Sequence, residues 1–175
     1  MANAAVHILT VIILVEIYRQ FIAKKKFSTW YVFIAGIGGI LPDMDLPIEM
    51  IINKITGQHY IIHRVYTHSM IIVGVLALMT LGFYLFKSRN ITLFKKKISL
   101  ENIALVFGLI TFGWFIHMAL DCTVAASESL SWIYGHPIKF CTNNFDHDIV
   151  VALDAAMLIS WLTYMQIRGK IKEYF

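Results

Sequence analysis

The feature that most constrains this chain is a series of apolar runs, each about 20 residues long, the length a helix needs to cross about 30 Å of hydrocarbon. Such runs cover residues 4–23, 66–86, 100–120 and 149–167. A shorter one, residues 27–41, is stopped by Pro42; as a helix of about 15 residues it reaches roughly 22 Å and leaves its outer end recessed from one interface. Hydrophobic residues make up 58% of the chain and charged residues 15%, against about 45–50% and about 25% in soluble domains. A water-soluble globule is thereby excluded, and so is a disordered chain, which needs far less apolar surface. The expected architecture is an all-α polytopic membrane bundle of about five transmembrane helices, forming a single domain over residues 1–175.

Charge sets the expected orientation. The formal net charge of +4 sits in short basic clusters between apolar runs, which reads as a topology signal and gives no reason to expect a nucleic-acid partner. Arg19, Lys24, Lys25 and Lys26 close the first run; Lys87, Arg89, Lys95, Lys96 and Lys97 fill the gap between the third and fourth spans; Arg168, Lys170 and Lys172 follow the last. Only Lys54, Arg64 and Lys139 fall on the other face. The positive-inside rule then places the N-terminus outside and the C-terminus inside the cytoplasmic membrane. The first run has no basic residue before it and lysines after it, so it reads as a retained anchor rather than a cleaved signal. Cys122 and Cys141 are too few for a disulfide framework, although a single bridge fits if both lie on an oxidising side.

That topology rests on apolar runs and basic residues alone, yet histidines and carboxylates collect at the outer ends of the spans. His7 opens the first; Asp43 and Asp45 follow the second; His63 and His68 lead into the third; His117 and Asp121 close the fourth. His117 and Asp121, four apart, share one helical face and offer an imidazole and a carboxylate to one ion. Asp43 and Asp45 lie between Pro42 and Pro47, where no regular helix fits, and Thr67 or Ser69 can cap the helix that follows His63 and His68 and fix the imidazoles. Each group has a plainer reading by itself: Asp beside Pro is ordinary turn chemistry, and a lone interfacial His such as His7 or His59 is just a polar residue near water. Their convergence is what argues for a cation, because clustered acids and imidazoles at one end of a bundle otherwise waste desolvation energy. The expected ligand pool is His7, Asp43, Asp45, His63, His68, His117 and Asp121, holding one or two divalent ions, with Asp45 or Asp121 bridging a pair; mixed imidazole and carboxylate donors suit Zn, Mn or Fe.

Other polar residues have structural explanations. Glu16 and Arg19, three apart, form an intrahelical pair. Ala35, Gly36, Gly38 and Gly39 suit close helix packing, and Ile48, Ile51, Ile52 and Ile55 mark an amphipathic interfacial helix. In the long segment after the fourth span, Trp132 and Tyr134 read as interfacial aromatics. Glu128 or His136 is a candidate proton donor, the Asp146-His147-Asp148 triplet a candidate source of further ligands, and Asp154 a candidate acceptor behind a ligand imidazole.

Pro42-Asp43-Met44-Asp45, His63-Arg64-x-x-Thr67-His68-Ser69 and His117-x-x-x-Asp121, with the early His7 and the later Trp132-to-Phe140 segment, resemble the YdjM-like family of membrane-bound, metal-dependent hydrolases. Val65 departs from the small residue common after the arginine in that family. The resemblance implies a multi-span inner-membrane protein, regulated in some bacteria through the DNA-damage repressor. The order of His and Asp is also distantly similar to zinc-dependent phospholipase C, an analogy that points toward phosphoester chemistry. The expected function is metal-dependent hydrolysis of a phosphoester or other ester of a lipid or amphiphile, with Asp45, Asp121 and His68 in catalytic roles. A divalent-metal transporter and a noncatalytic membrane protein remain open alternatives. For the topology, an impermeant thiol reagent is expected to label a cysteine replacing Asp146 from outside and to miss one replacing Lys96; labelling at position 96 reverses the orientation.

Overall fold

The structure, a computed structural model, describes residues 4–23, 27–61, 67–93, 96–124, 141, 147–167 and 169. Helix α1 (Ala4–Ile17) runs on through a π-helical turn, Tyr18–Ile22. At this junction the buried Arg19 guanidinium donates to Glu16 through Nε (2.7 Å) and Nη2 (3.0 Å). Each charge is met by a fork-shaped partner within the same helix, so neither is left bare in apolar surroundings.

Helix α2 (Thr29–Ile40) starts where the Ser28 hydroxyl accepts from the Trp30 N–H (3.3 Å). Pro42, which has no N–H to give, does not end the helical path as the sequence suggests. It sits in a 3-10 turn, Leu41–Met44, that leads directly into α3 (Asp45–Thr56). The tighter turn absorbs the missing donor, and Pro47 falls in the first turn of α3, where no intrahelical bond is lost. Gly57, at φ 68°, closes α3 in the left-handed conformation a glycine reaches without strain. Helix α4 (Met70–Leu85) is capped by Ser69, whose hydroxyl accepts from the Ile71 N–H (3.3 Å). Helices α5 (Leu100–Val124) and α6 (His147–Ile167) follow.

With α2 and α3 taken as one stretch, these helices form the five-helix bundle the apolar runs predict. Among the described residues, Ala5–Ile22, Thr29–Thr56 and Leu100–Thr123 are long and apolar enough to cross a membrane by length and composition. Helix α4 is apolar throughout but has 16 residues, about 24 Å. Between α4 and α5 two short strands form: β1 (Asn90–Leu93) and β2 (Lys96–Ser99) pair antiparallel, from Asn90 opposite Ser99 to Leu93 opposite Lys96.

Helix α5 is the centre of the packing, with α2 and α4 against it and α1 on α2. Val11, Val15, Val32 and Ala35 form a buried cluster bordered by Leu109 and Ile116. Backbones meet most closely at glycine. A Cβ on Gly113 would lie 2.5 Å from the Ala35 carbonyl oxygen and 2.7 Å from the Gly39 nitrogen; one on Gly38 would lie 2.8 Å from the Ile110 Cα. Absent side chains therefore set the α2–α5 spacing, as in small-residue membrane interfaces.

Gly113→Ala is expected to force these helices apart and to lower stability by about 1–3 kcal/mol. Gly74→Ala, whose added Cβ meets nothing within 4 Å, is expected to stay neutral or slightly stabilising. Thermal unfolding of the two variants in one detergent checks both.

Candidate metal centre

Close α2–α5 contact has a chemical consequence. It brings the Gly39 carbonyl to 2.8 Å from His117 Nδ1. A carbonyl oxygen only accepts, so Nδ1 carries the ring proton and Nε2 presents a lone pair. The last described residues before the α4 cap treat His68 in the same way. The Thr67 hydroxyl donates to the Asp45 carboxylate and lies 3.0 Å from His68 Nδ1. With its single proton given to Asp45, that hydroxyl accepts from His68 Nδ1–H, leaving Nε2 of His68 as a second lone pair.

The two Nε2 atoms are 3.2 Å apart. Asp43 Oδ1 lies 3.6 Å from the first and 3.5 Å from the second, measured to His68 and His117 respectively. Asp121 Oδ2 lies 3.3 Å from His68 Nε2 and 3.8 Å from His117 Nε2. Its other oxygen, Oδ1, faces His7 Nε2 at 3.4 Å, and the His7 ring stacks on His117 with centroids 3.8 Å apart. All three imidazoles and Asp121 are buried, while the Asp43 side chain keeps 19% of its surface exposed. His7 Nδ1 is a buried atom with no hydrogen-bond partner among the described residues.

This arrangement fits a cation. Facing lone pairs among carboxylates repel one another in a low-dielectric interior. A proton satisfies one of the two nitrogens, whereas a divalent ion satisfies both together with the carboxylate oxygens. Two overlapping donor groups, His7 with Asp43 and His117, and His68 with His117 and Asp121, have ligand atoms within 4.8 Å of one another. Both depend on His117, whose Nδ1 is committed to Gly39, so they share one donor lone pair.

The elements that deliver these groups lie far apart in sequence but end together: the first turns of α1, the 3-10 turn after α2, the residues before α4, and the last two turns of α5. Of the residues singled out from sequence, His7, Asp43, His68, His117 and Asp121 meet here. Asp45 is buried but belongs to neither donor group. His63, Glu128, His136 and Asp146 lie outside the described residues, and His59 is exposed after α3. Asp154 lies on α6, half-buried, with Oδ1 unpartnered among the described residues.

Two supports leave no sign in the sequence, and a third is legible only in part. The Gly39 carbonyl leaves no trace in side-chain identity. Trp114, whose Nε1–H donates to the Thr67 carbonyl (3.1 Å), is one more aromatic residue in an apolar helix. Thr67, with Ser69, reads in the sequence as a cap able to fix the imidazoles; its link to Asp45 does not. The bridge left open from the sequence is formed: Cys122 and Cys141 are joined, with Cα atoms 4.6 Å apart. Cys141 packs on Met118, next to the helix end that bears Asp121.

The family profile of the YdjM inner membrane protein matches residues 1–169. No curated protein and no solved structure matches the chain. If the cluster holds a divalent ion, added Zn or Mn raises the thermal midpoint of the purified protein, by about 2.7 kcal/mol of stabilisation at 100 times Kd. Chelator reverses the shift and His117→Ala abolishes it; an equal shift in that variant means the ion binds elsewhere.

Proposed function

The chain belongs to the YdjM inner membrane protein family, and we propose that it is a membrane-embedded, metal-dependent hydrolase of a phosphoester or other ester in a lipid or amphiphile. The observation that carries this reading is the pair of imidazole Nε2 atoms 3.2 Å apart, set among oxygens of two carboxylates inside an apolar bundle. His7, Asp43, His68, His117 and Asp121 hold one divalent ion, of which Zn, Mn and Fe suit the donors. Such an ion supplies Lewis acidity, lowering the pKa of water toward about 7 and polarising a phosphoryl or carbonyl oxygen.

The protein's own groups divide the remaining work. His68 and His117 present fixed lone pairs and exclude water from one side of the centre. Asp121 turns Oδ2 toward them and keeps Oδ1 apart, beside His7 Nε2, so Oδ1 is the oxygen placed to take a proton from the attacking water. Asp43 is the most exposed member of the cluster and marks the approach. Beside it, Met44 and the Ile48, Ile51 and Ile55 side chains of α3 are exposed, with Asn53 and Lys54 on the same short helix. An amphiphile resting its apolar part on those isoleucines brings its headgroup to Asp43, which favours a lipid-like substrate over a water-soluble one.

Two features support a site facing away from the cytoplasm. The basic clusters lie at the other ends of the spans, and the Cys122–Cys141 bridge, adjacent to Asp121, belongs to an oxidising compartment. Hydrolysis is preferred to transport because Glu16 and Arg19, deeper along α1, satisfy each other rather than extending a polar path from the cluster.

Reconstituted protein carrying its metal is expected to cleave at least one member of a panel of lipid phosphoesters. Asp43→Ala and His68→Ala are expected to lower turnover by about three orders of magnitude, the rate equivalent of several kcal/mol. Metal-loaded protein that cleaves nothing in the panel but carries the cation across a vesicle membrane contradicts the proposal.

A further inference from the structure

Asp43 and Asp45 stand two residues apart, yet the fold gives them different surroundings. Asp43, in the 3-10 turn, directs Oδ1 to within 3.6 Å of both imidazole Nε2 atoms. Asp45 opens α3, is 3% exposed, and accepts the Thr67 hydroxyl at Oδ2. That hydroxyl touches His68 Nδ1 at 3.0 Å, and the Thr67 backbone is tied to α5 by the Trp114 indole. Ser69, two residues on, caps α4.

We propose that Asp45 is a positioning residue: through the Thr67 hydroxyl it fixes the tautomer and ring orientation of His68, so that Nε2 is the atom turned to the cation. The inference rests on the metal-binding reading of the cluster and deepens it. An ionised carboxylate accepts only, so it takes the one hydroxyl proton and turns the threonine oxygen into an acceptor for Nδ1–H. A carboxylate in direct contact with a ring N–H fixes the tautomer; here the Thr67 hydroxyl carries the same constraint from Asp45 to His68 Nδ1. Without the hydroxyl the ring can turn over about its Cβ–Cγ bond, placing Cε1 where Nε2 was, and either tautomer can form. Only part of the population then offers the lone pair, and apparent affinity falls by that fraction. Groups that orient a metal-binding imidazole in this way are worth about 10–100-fold in metal affinity.

The test measures Zn affinity by competition, and Co absorption as an independent readout of the donor set, on the full-length chain in lipid nanodiscs. Thr67→Val, which keeps the shape and loses the hydroxyl, is expected to weaken Zn binding 10–100-fold and to alter the Co spectrum. Thr67→Ser, which keeps the hydroxyl, is expected to restore both. Asp45→Ala is expected to lose the same factor as Thr67→Val, and the double variant no more than either single, because both interrupt one relay. Thr67→Ala serves in place of valine if the larger side chain disturbs folding. If Thr67→Val binds Zn like the wild type while Asp45→Ala does not, or if the two losses add, Asp45 acts directly and the inference falls. His117→Ala separates this from failure of the centre itself: equal Zn binding by that variant and the wild type overturns the metal reading and this inference together.

Discussion

Two imidazole lone pairs facing each other, with carboxylates on either side and almost no exposed surface, are the constraint around which the rest of the molecule is arranged. Burying ionisable groups in an apolar bundle costs several kcal/mol for each that goes unpaired. His68 and His117 are both fully buried, and Asp121 nearly so. Their cost is offset only if each imidazole spends its N–H on a protein acceptor and each carboxylate meets positive charge. The Gly39 carbonyl and the Thr67 hydroxyl meet the first condition. A bound cation would meet the second.

The close helix contacts follow from that arrangement. His117 reaches the Gly39 carbonyl because Gly113 and Gly38 let α5 and α2 approach with no Cβ between them. Pro42 shapes the turn that aims Asp43 inward and lets Asp45 begin the next helix. Ser69 starts α4 immediately after His68, and the Cys122–Cys141 bridge fastens the chain to the end of α5 beside Asp121. At the other end of α1, the Glu16–Arg19 fork shows a different solution to the same problem, with both charges satisfied inside one helix and none left over for a ligand.

Much of this was legible in the sequence, for physical reasons that differ by feature. The helices of the bundle are written in hydropathy, because a span must be apolar along its length. The meeting of His7, Asp43, His68, His117 and Asp121 followed from span ends: once helices cross in alternate directions, residues far apart in sequence share a face. Asp45 and Asp43 looked equivalent because spacing does not say which carboxylate a 3-10 turn directs inward. The continuation of α2 into α3 was hidden by Pro42, which stops an α-helix but is accommodated by a tighter turn. The pairing of β1 with β2 was hidden because four-residue strands carry no signal at the length scale of a span. Backbone groups such as the Gly39 carbonyl are common to every residue and therefore invisible to a reading of side chains.

X-ray absorption at the metal edge of the purified, unmodified protein tests the central claim most directly. The account predicts one ion per chain, with light N and O donors at about 2.0–2.2 Å and the outer-ring scattering of imidazole. It predicts no second metal at about 3.5–4 Å, the separation of a two-metal site. Protein that retains no metal, or a spectrum with sulfur donors and no imidazole pattern, contradicts it.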